Sequence, residues 1–186
     1  MIGNFESMNS KTNRKVYFAF PVRSRVQRFD QVVAGNSPKE FYYGYFYLQD
    51  CGIPVGMLDS RGNIEGKIWS RSNQLIEYVR NRLCKVSFNR TLAAQYLDVL
   101  SPNDMIISFI DWFSLSLGLE NAKRNNKYKI AGGFHGLSDL LKPDNRMISR
   151  KYLDHFGRRA IDGLSMAFFF GEADRHSAII NYDLRQ

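Results

Sequence analysis

One histidine in this chain has the surroundings that chemistry asks for. His135 follows Gly132-Gly133-Phe134 and precedes Gly136, where a short β-rich run ends. An imidazole changes charge near neutral pH and can donate to a developing negative charge. Glycines on both sides let a ligand come close. The competing reading is a histidine held by loop backbone. Arg23 and Arg25 follow the first apolar run, where guanidinium groups can grip a phosphate or simply form a solvated basic loop. Asp111 can cap the helix that follows it, contact a ligand hydroxyl, or do both. Trp112 can stack on a sugar ring or pack in the core. Glu172 either touches ligand or opens the last helix. Asp174 and His176 resemble a metal pair, but no further ligands stand at suitable spacing, so no metal site is expected.

The elements that must position these residues are legible in outline. Lys15-Val-Tyr-Phe-Ala-Phe20 reads as a strand stopped by Pro21. A loop carrying Arg23, Arg25 and Arg28 follows. Ser37-Pro38-Lys39-Glu40 is a capping box with proline at the first helical position. Its helix carries Phe41, Tyr45 and Leu48, holds Gly44 in its interior, and stops at Gly52. Residues 53–58 form a second strand and 59–70 a loop. Ser72 or Asn73 caps a helix with Leu75, Ile76, Val79 and Leu83 at helical spacing. A short helix spans 89–100. Met105-Ile-Ile-Ser-Phe-Ile110 has the continuous apolar character of a strand buried on both faces. A helix over 112–124 follows, then a strand over 127–131 that ends in Gly132-Gly133. A helix over 145–163 has Ile148, Tyr152, Phe156, Ala160 and Leu164 four apart. Residues 165–170 form the last strand, and a final helix starts after Gly171. The alternation implies an α/β domain, doubly wound and Rossmann-like, around a mostly parallel sheet. Residues 1–14 are read as a flexible tail and 15–186 as the domain.

Composition narrows the classes. The chain has 186 residues, 44% hydrophobic, enough for one real core. Its net charge of +8 favours anionic partners: nucleic acid, an acidic membrane face or a phosphorylated ligand. Cys51 and Cys84 stand alone, which argues against a disulfide framework and a structural zinc site. No secretory leader or membrane-spanning run is evident, so the expected location is cytoplasmic. The first strand–loop lacks Gly-x-Gly-x-x-Gly and the phosphate loop, and no Gly-x-Ser-x-Gly elbow is present. Nicotinamide-dependent Rossmann enzymes, P-loop NTPases and α/β-hydrolases are thereby disfavoured.

The segment Asn36-Ser-Pro-Lys-Glu-Phe-Tyr-Tyr-Gly44, with Tyr45-Phe-Tyr-Leu48 and Cys51-Gly-Ile-Pro-Val55 behind it, resembles a stretch of the family-4-like glycosyltransferases of the GT-B class. Asp104-Met-Ile-Ile-Ser108 is similar to that family's Asp-x-Ile-Ile-x strand, and Gly133-Phe-His135-Gly136 to its strand ending in histidine. Phe168-Phe-Phe-Gly-Glu172 resembles the strand that precedes the crossover to a second domain. The resemblance runs from Lys15 to Leu184, in order. It implies the N-terminal, acceptor-side half of a GT-B fold. It also implies that a C-terminal domain, absent from these residues, binds a UDP- or GDP-sugar donor, and that no metal or other cofactor is needed.

On that resemblance His135 lies in the cleft as the catalytic residue. Arg23, Arg25, Asp111, Trp112, Gly133 and Gly136 line the acceptor side, and Glu172 stands on the cleft rim. The acceptor would be a glycan or a lipid-linked molecule of polysaccharide biosynthesis, and the half alone would be inactive. In related enzymes a basic amphipathic part of this domain rests on an anionic membrane. Here the basic helix 145–163 is the segment to consider, against its simpler reading as an exposed charged face. Two other classes compete: a non-catalytic binding module derived from such an enzyme, and a basic nucleic-acid-binding protein. The latter lacks a zinc finger, an RNA-recognition signature and a helix-turn-helix.

Overall fold

The computed structural model describes residues 14–21, 23–42, 44–59, 71–137 and 147–182. Five strands form one all-parallel sheet: β1 (Val16–Phe20), β2 (Val55–Asp59), β3 (Met105–Ser108), β4 (Lys129–Phe134) and β5 (Met166–Phe169), in the order β2-β1-β3-β4-β5. Every neighbouring pair is parallel. The order reverses direction between β1 and β3, which makes the sheet doubly wound. The expected α/β, Rossmann-like architecture is therefore present.

Alternation along the strands divides the core. Phe18 and Phe20 of β1 point to one face and pack with Val32, Tyr42, Phe29, Tyr45 and Phe46. These come from helix α1 (Arg23–Val33), a 3-10 turn (Lys39–Tyr42) and helix α2 (Tyr45–Asp50). Ala19, Ile106 and Ile130 point to the other face. There they meet α4 (Arg90–Asp98) and α5 (Asp111–Lys123), while α6 (Met147–Asp162) and α7 (Glu172–Tyr182) close the same side toward β5. Helix α3 (Arg71–Cys84) lies outside this layer against α4 and α6.

The central helix is α5. All residues from Phe113 to Asn121 are buried, so the helix is enclosed all round, and its polar members Ser114, Ser116, Glu120 and Asn121 are each hydrogen-bonded. It crosses α6 at very close range: a methyl group on Gly118 would collide with the carbonyl of Ala160, and one on Gly163 with the carbonyl of Gly118. Asn121 fixes the end of α5. Its Nδ2 donates to the carbonyls of Tyr128 (2.9 Å) and Gly163 (2.8 Å), and its Oδ1 accepts from Tyr128 N–H (3.0 Å).

Several local expectations change. The expected loop after β1 is helix α1: Phe29 and Val32 supply an apolar face that its many polar residues obscure. The capping box at Ser37 does not start a helix. Ser37 Oγ lies 3.5 Å from Gln31 Oε1, and the chain makes only a 3-10 turn before Gly44 turns left-handed at φ +90°. Gly44 therefore precedes α2 and is not inside it. Gly52 stops α2 as expected, left-handed at φ +75° with Ile53 N–H donating to the Leu48 carbonyl. Helix α3 begins at Arg71, so Ser72 and Asn73 lie in its first turn and not at the cap. Strand β4 runs through Gly132-Gly133 to Phe134 instead of ending at the glycines. The tail up to residue 13, the loop 60–70 and Arg146 lie outside the described residues.

Candidate functional site

The carboxyl ends of β1, β3, β4 and β5 bring Pro21, Phe109 to Asp111, His135 and Phe170 to one rim. Three of these segments converge. Asp111 opens α5 immediately after β3, and His135 follows β4, the neighbouring strand. His135 Nδ1 lies 3.2 Å from Asp111 Oδ1. The same carboxylate accepts from the backbone N–H of His135 at 3.2 and 3.3 Å. A carboxylate only accepts, so the ring presents Nδ1–H to it and leaves Nε2 for another partner. The His135 side chain is 53% exposed, while that of Asp111 is 18% exposed. The orienting group is thus sheltered and the oriented group is open.

The imidazole is also held from the side. Phe170, just past β5, stacks on it with centroids 4.3 Å apart and planes 16° apart. Phe170 in turn neighbours Phe168 (6.0 Å) and Phe109 (6.2 Å), and those two meet edge to face at 5.1 Å. Gly133 makes this possible, because a methyl there would lie 2.5 Å from the Phe168 ring. Behind His135, Asp174 Oδ2 accepts from Leu137 N–H at 3.2 Å and ties the loop to α7. The histidine is bounded by a carboxylate, an aromatic ring and a tethered loop.

The other expected site residues separate into groups. Gly136 has open space around its Cα and lies beside His135. Gly133 is buried, and its missing side chain serves the phenylalanines. Asp111 is the first residue of α5, after Ile110 at the cap; its described hydrogen bonds go to His135, so the capping role expected of it is not the one seen. Trp112 turns away from the rim, packing edge to face on Phe88 at 5.3 Å. Glu172 begins α7 and pairs with Arg175 at 2.7 Å in solvent. Arg23 and Arg25 start α1 at the same rim, but their side chains lie outside the description. Among the described residues no group of His, Cys, Asp and Glu could hold a metal. No helix among them is long and apolar enough to cross a membrane.

Sequence reasoning missed Phe170, Phe168, Phe109 and Asp174 as parts of the site. An apolar run of Met166-Ala-Phe-Phe-Phe170 signals a buried strand, and nothing in it reveals that its last ring leaves the sheet to meet His135. No protein-family model matches the chain, and no curated protein or solved structure matches it either.

Proposed function

We propose that this chain is the acceptor-binding half of a nucleotide-sugar-dependent glycosyltransferase acting on a glycan or lipid-linked acceptor. The observation that carries the reading is the Asp111–His135 pair at the strand-end rim. A sheltered carboxylate fixes the imidazole, and Nε2 is left for the reacting oxygens. The exposed Phe170 ring beside it offers an apolar wall for a sugar face or a lipid-linked acceptor. The order of motifs from Ser37-Pro38 through His135 to Glu172 supports the same reading by resemblance.

In this account catalysis is positioning plus electrostatics. His135 hydrogen-bonds the transferred sugar or the departing diphosphate. Asp111 holds the ring, and Gly136 leaves room. Arg23 and Arg25 meet an anionic part of the acceptor. The donor is held mainly by a second domain. The experiment is sugar transfer from UDP- and GDP-sugars, by this chain alone and with a donor-binding domain of the same enzyme class supplied. Turnover is expected only in the second case. Turnover by these residues alone would overturn the division of labour, and no turnover with a demonstrably docked donor domain would overturn the reading.

A further inference from the structure

Helix α3 leaves Leu75, Val79 and Leu83 exposed and turns Glu77 and Arg80, both half-buried, toward the rest of the fold. These two face the start of α4 and the end of α5 across a cleft of about 190 Å³, lined also by Ile76, Arg90, Glu120 and Lys123. The carboxylates of the cleft are spent on the protein. Glu77 Oε2 accepts from Thr91 N–H (3.2 Å) and Thr91 Oγ1 (2.7 Å), and Glu77 Oε1 accepts from Arg90 N–H, which satisfies the first turn of α4. Glu120 has a side chain only 3% exposed and accepts from Arg90 Nε (2.7 Å), Lys123 Nζ (3.0 Å) and Arg124 Nη1 (3.4 Å). The donors are not spent. Among the described residues Arg80 has no hydrogen-bond or ion-pair partner. The Arg90 side chain is 12% exposed, yet it gives only Nε to the protein and keeps both terminal nitrogens. Lys123 gives one N–H to Glu120 and has two more. A sheltered cleft with its acceptors occupied and its donors open calls for a ligand that only accepts: an oxyanion.

We propose that this cleft between α3, α4 and α5 binds a phosphate dianion, free or carried as a monoester on a small molecule. Guanidinium groups present parallel N–H donors that match pairs of phosphate oxygens. Arg80 comes from α3 and Arg90 from the first position of α4, so one phosphate held by both bridges the two helices. Lys123 of α5 adds a third cation on the same cleft. Arg80 also lacks a counter-charge, and a phosphate monoester, with up to two negative charges and three accepting oxygens, answers this set better than a carboxylate does. Ile76, 55% exposed, supplies an apolar wall for a short carbon body. The cleft is smaller than the roughly 300–1,000 Å³ of sites for drug-sized ligands, which excludes a whole nucleotide-sugar. It is also remote from the rim: Glu120 stands roughly 14 Å along α5 from Asp111. The inference does not depend on sugar transfer.

The test is isothermal titration calorimetry of the full chain with glycerol 3-phosphate and with inorganic phosphate, at an ionic strength held constant with sodium chloride. Glycerol is the neutral control. Saturable binding of phosphate is expected, and none of glycerol. Tighter binding of glycerol 3-phosphate identifies a phosphorylated small molecule as the source, and equal or tighter binding of inorganic phosphate identifies the free anion; each supports the site. Arg80→Gln should weaken binding about tenfold or more. It should leave the melting temperature of the ligand-free chain unchanged, because Arg80 holds no group of the fold. Arg80→Lys keeps the charge without the fork and should recover only part of the affinity. Arg82→Gln, on the exposed side of the same helix, should leave affinity unchanged. Three results would overturn the proposal: no saturable binding of either anion, equal binding by the Arg80→Gln and parent chains, or an equal loss in Arg82→Gln, which would mark attraction to net charge alone.

Discussion

His135 draws its character from groups that arrive from two strand ends and from a helix. Asp111 comes from β3, Phe170 from β5, and the loop tether Asp174 from α7. Asp111→Asn keeps the shape but replaces one accepting oxygen by a donor. On the proposed function it should lower transfer, measured with a supplied donor-binding domain, about tenfold or more, as loss of a histidine's orienting partner does. A pH–rate profile is the second readout, since a role confined to folding would leave its shape unchanged. The two cysteines make a separate prediction. Cys51 is exposed and Cys84 is buried. Burial pushes the Cys84 thiol up, against a smaller lowering by Arg80. Ellman's reagent at mildly alkaline pH should therefore find one fast thiol, with the second released by denaturant. Because the folded state favours the neutral thiol, stability from this site is complete below the ordinary thiol pKa and declines as pH rises through it. Two rapidly reacting thiols in the folded chain would contradict the placement of Cys84. At this scale the sequence made His135 visible through its glycines. It could not show that Gly133 serves Phe168 and not a ligand, because strand continuation depends on which rings surround it.

At the scale of elements, strands were easier to read than caps. The β3 and β5 segments are short apolar runs, and their parallel pairing follows from the helices between them. Helix α1 escaped because its apolar residues are sparse, and the helix expected at Ser37-Pro38 failed because Gly44 takes a left-handed turn first. Helix α3 was recognised by its spacing, which left open the face that packs. Periodicity locates a stripe of Leu75, Val79 and Leu83, but only packing decides whether a stripe faces in or out. The helix 145–163 buries Leu153, Ala160 and Ile161 and keeps Lys151, Arg158 and Arg159 exposed, the charged face of its simpler reading. The α5–α6 crossing offers the sharpest stability test. Gly118→Ala places a methyl against the Ala160 carbonyl. It should destabilise the fold by about 1–3 kcal/mol through overpacking, read as a lower urea midpoint. An unchanged midpoint would contradict the close approach of the two backbones.

The whole molecule puts the proposed site and the apolar helix face in different places: a strand-end rim around His135, and the outer surface of α3. Doubly wound topology dictates the first, since parallel strands end together and the crossovers leave that edge open. Nothing in topology dictates the second, and neither fold class nor motif order hints at it. The most direct test of the rim is His135→Ala in this chain combined with a supplied donor-binding domain, measuring kcat/KM for the proposed sugar transfer while urea unfolding confirms an intact fold. A loss of about 10²–10⁴-fold with stability unchanged is expected, as for removal of a positioned acid–base group. Transfer by the variant at the parent rate would contradict it.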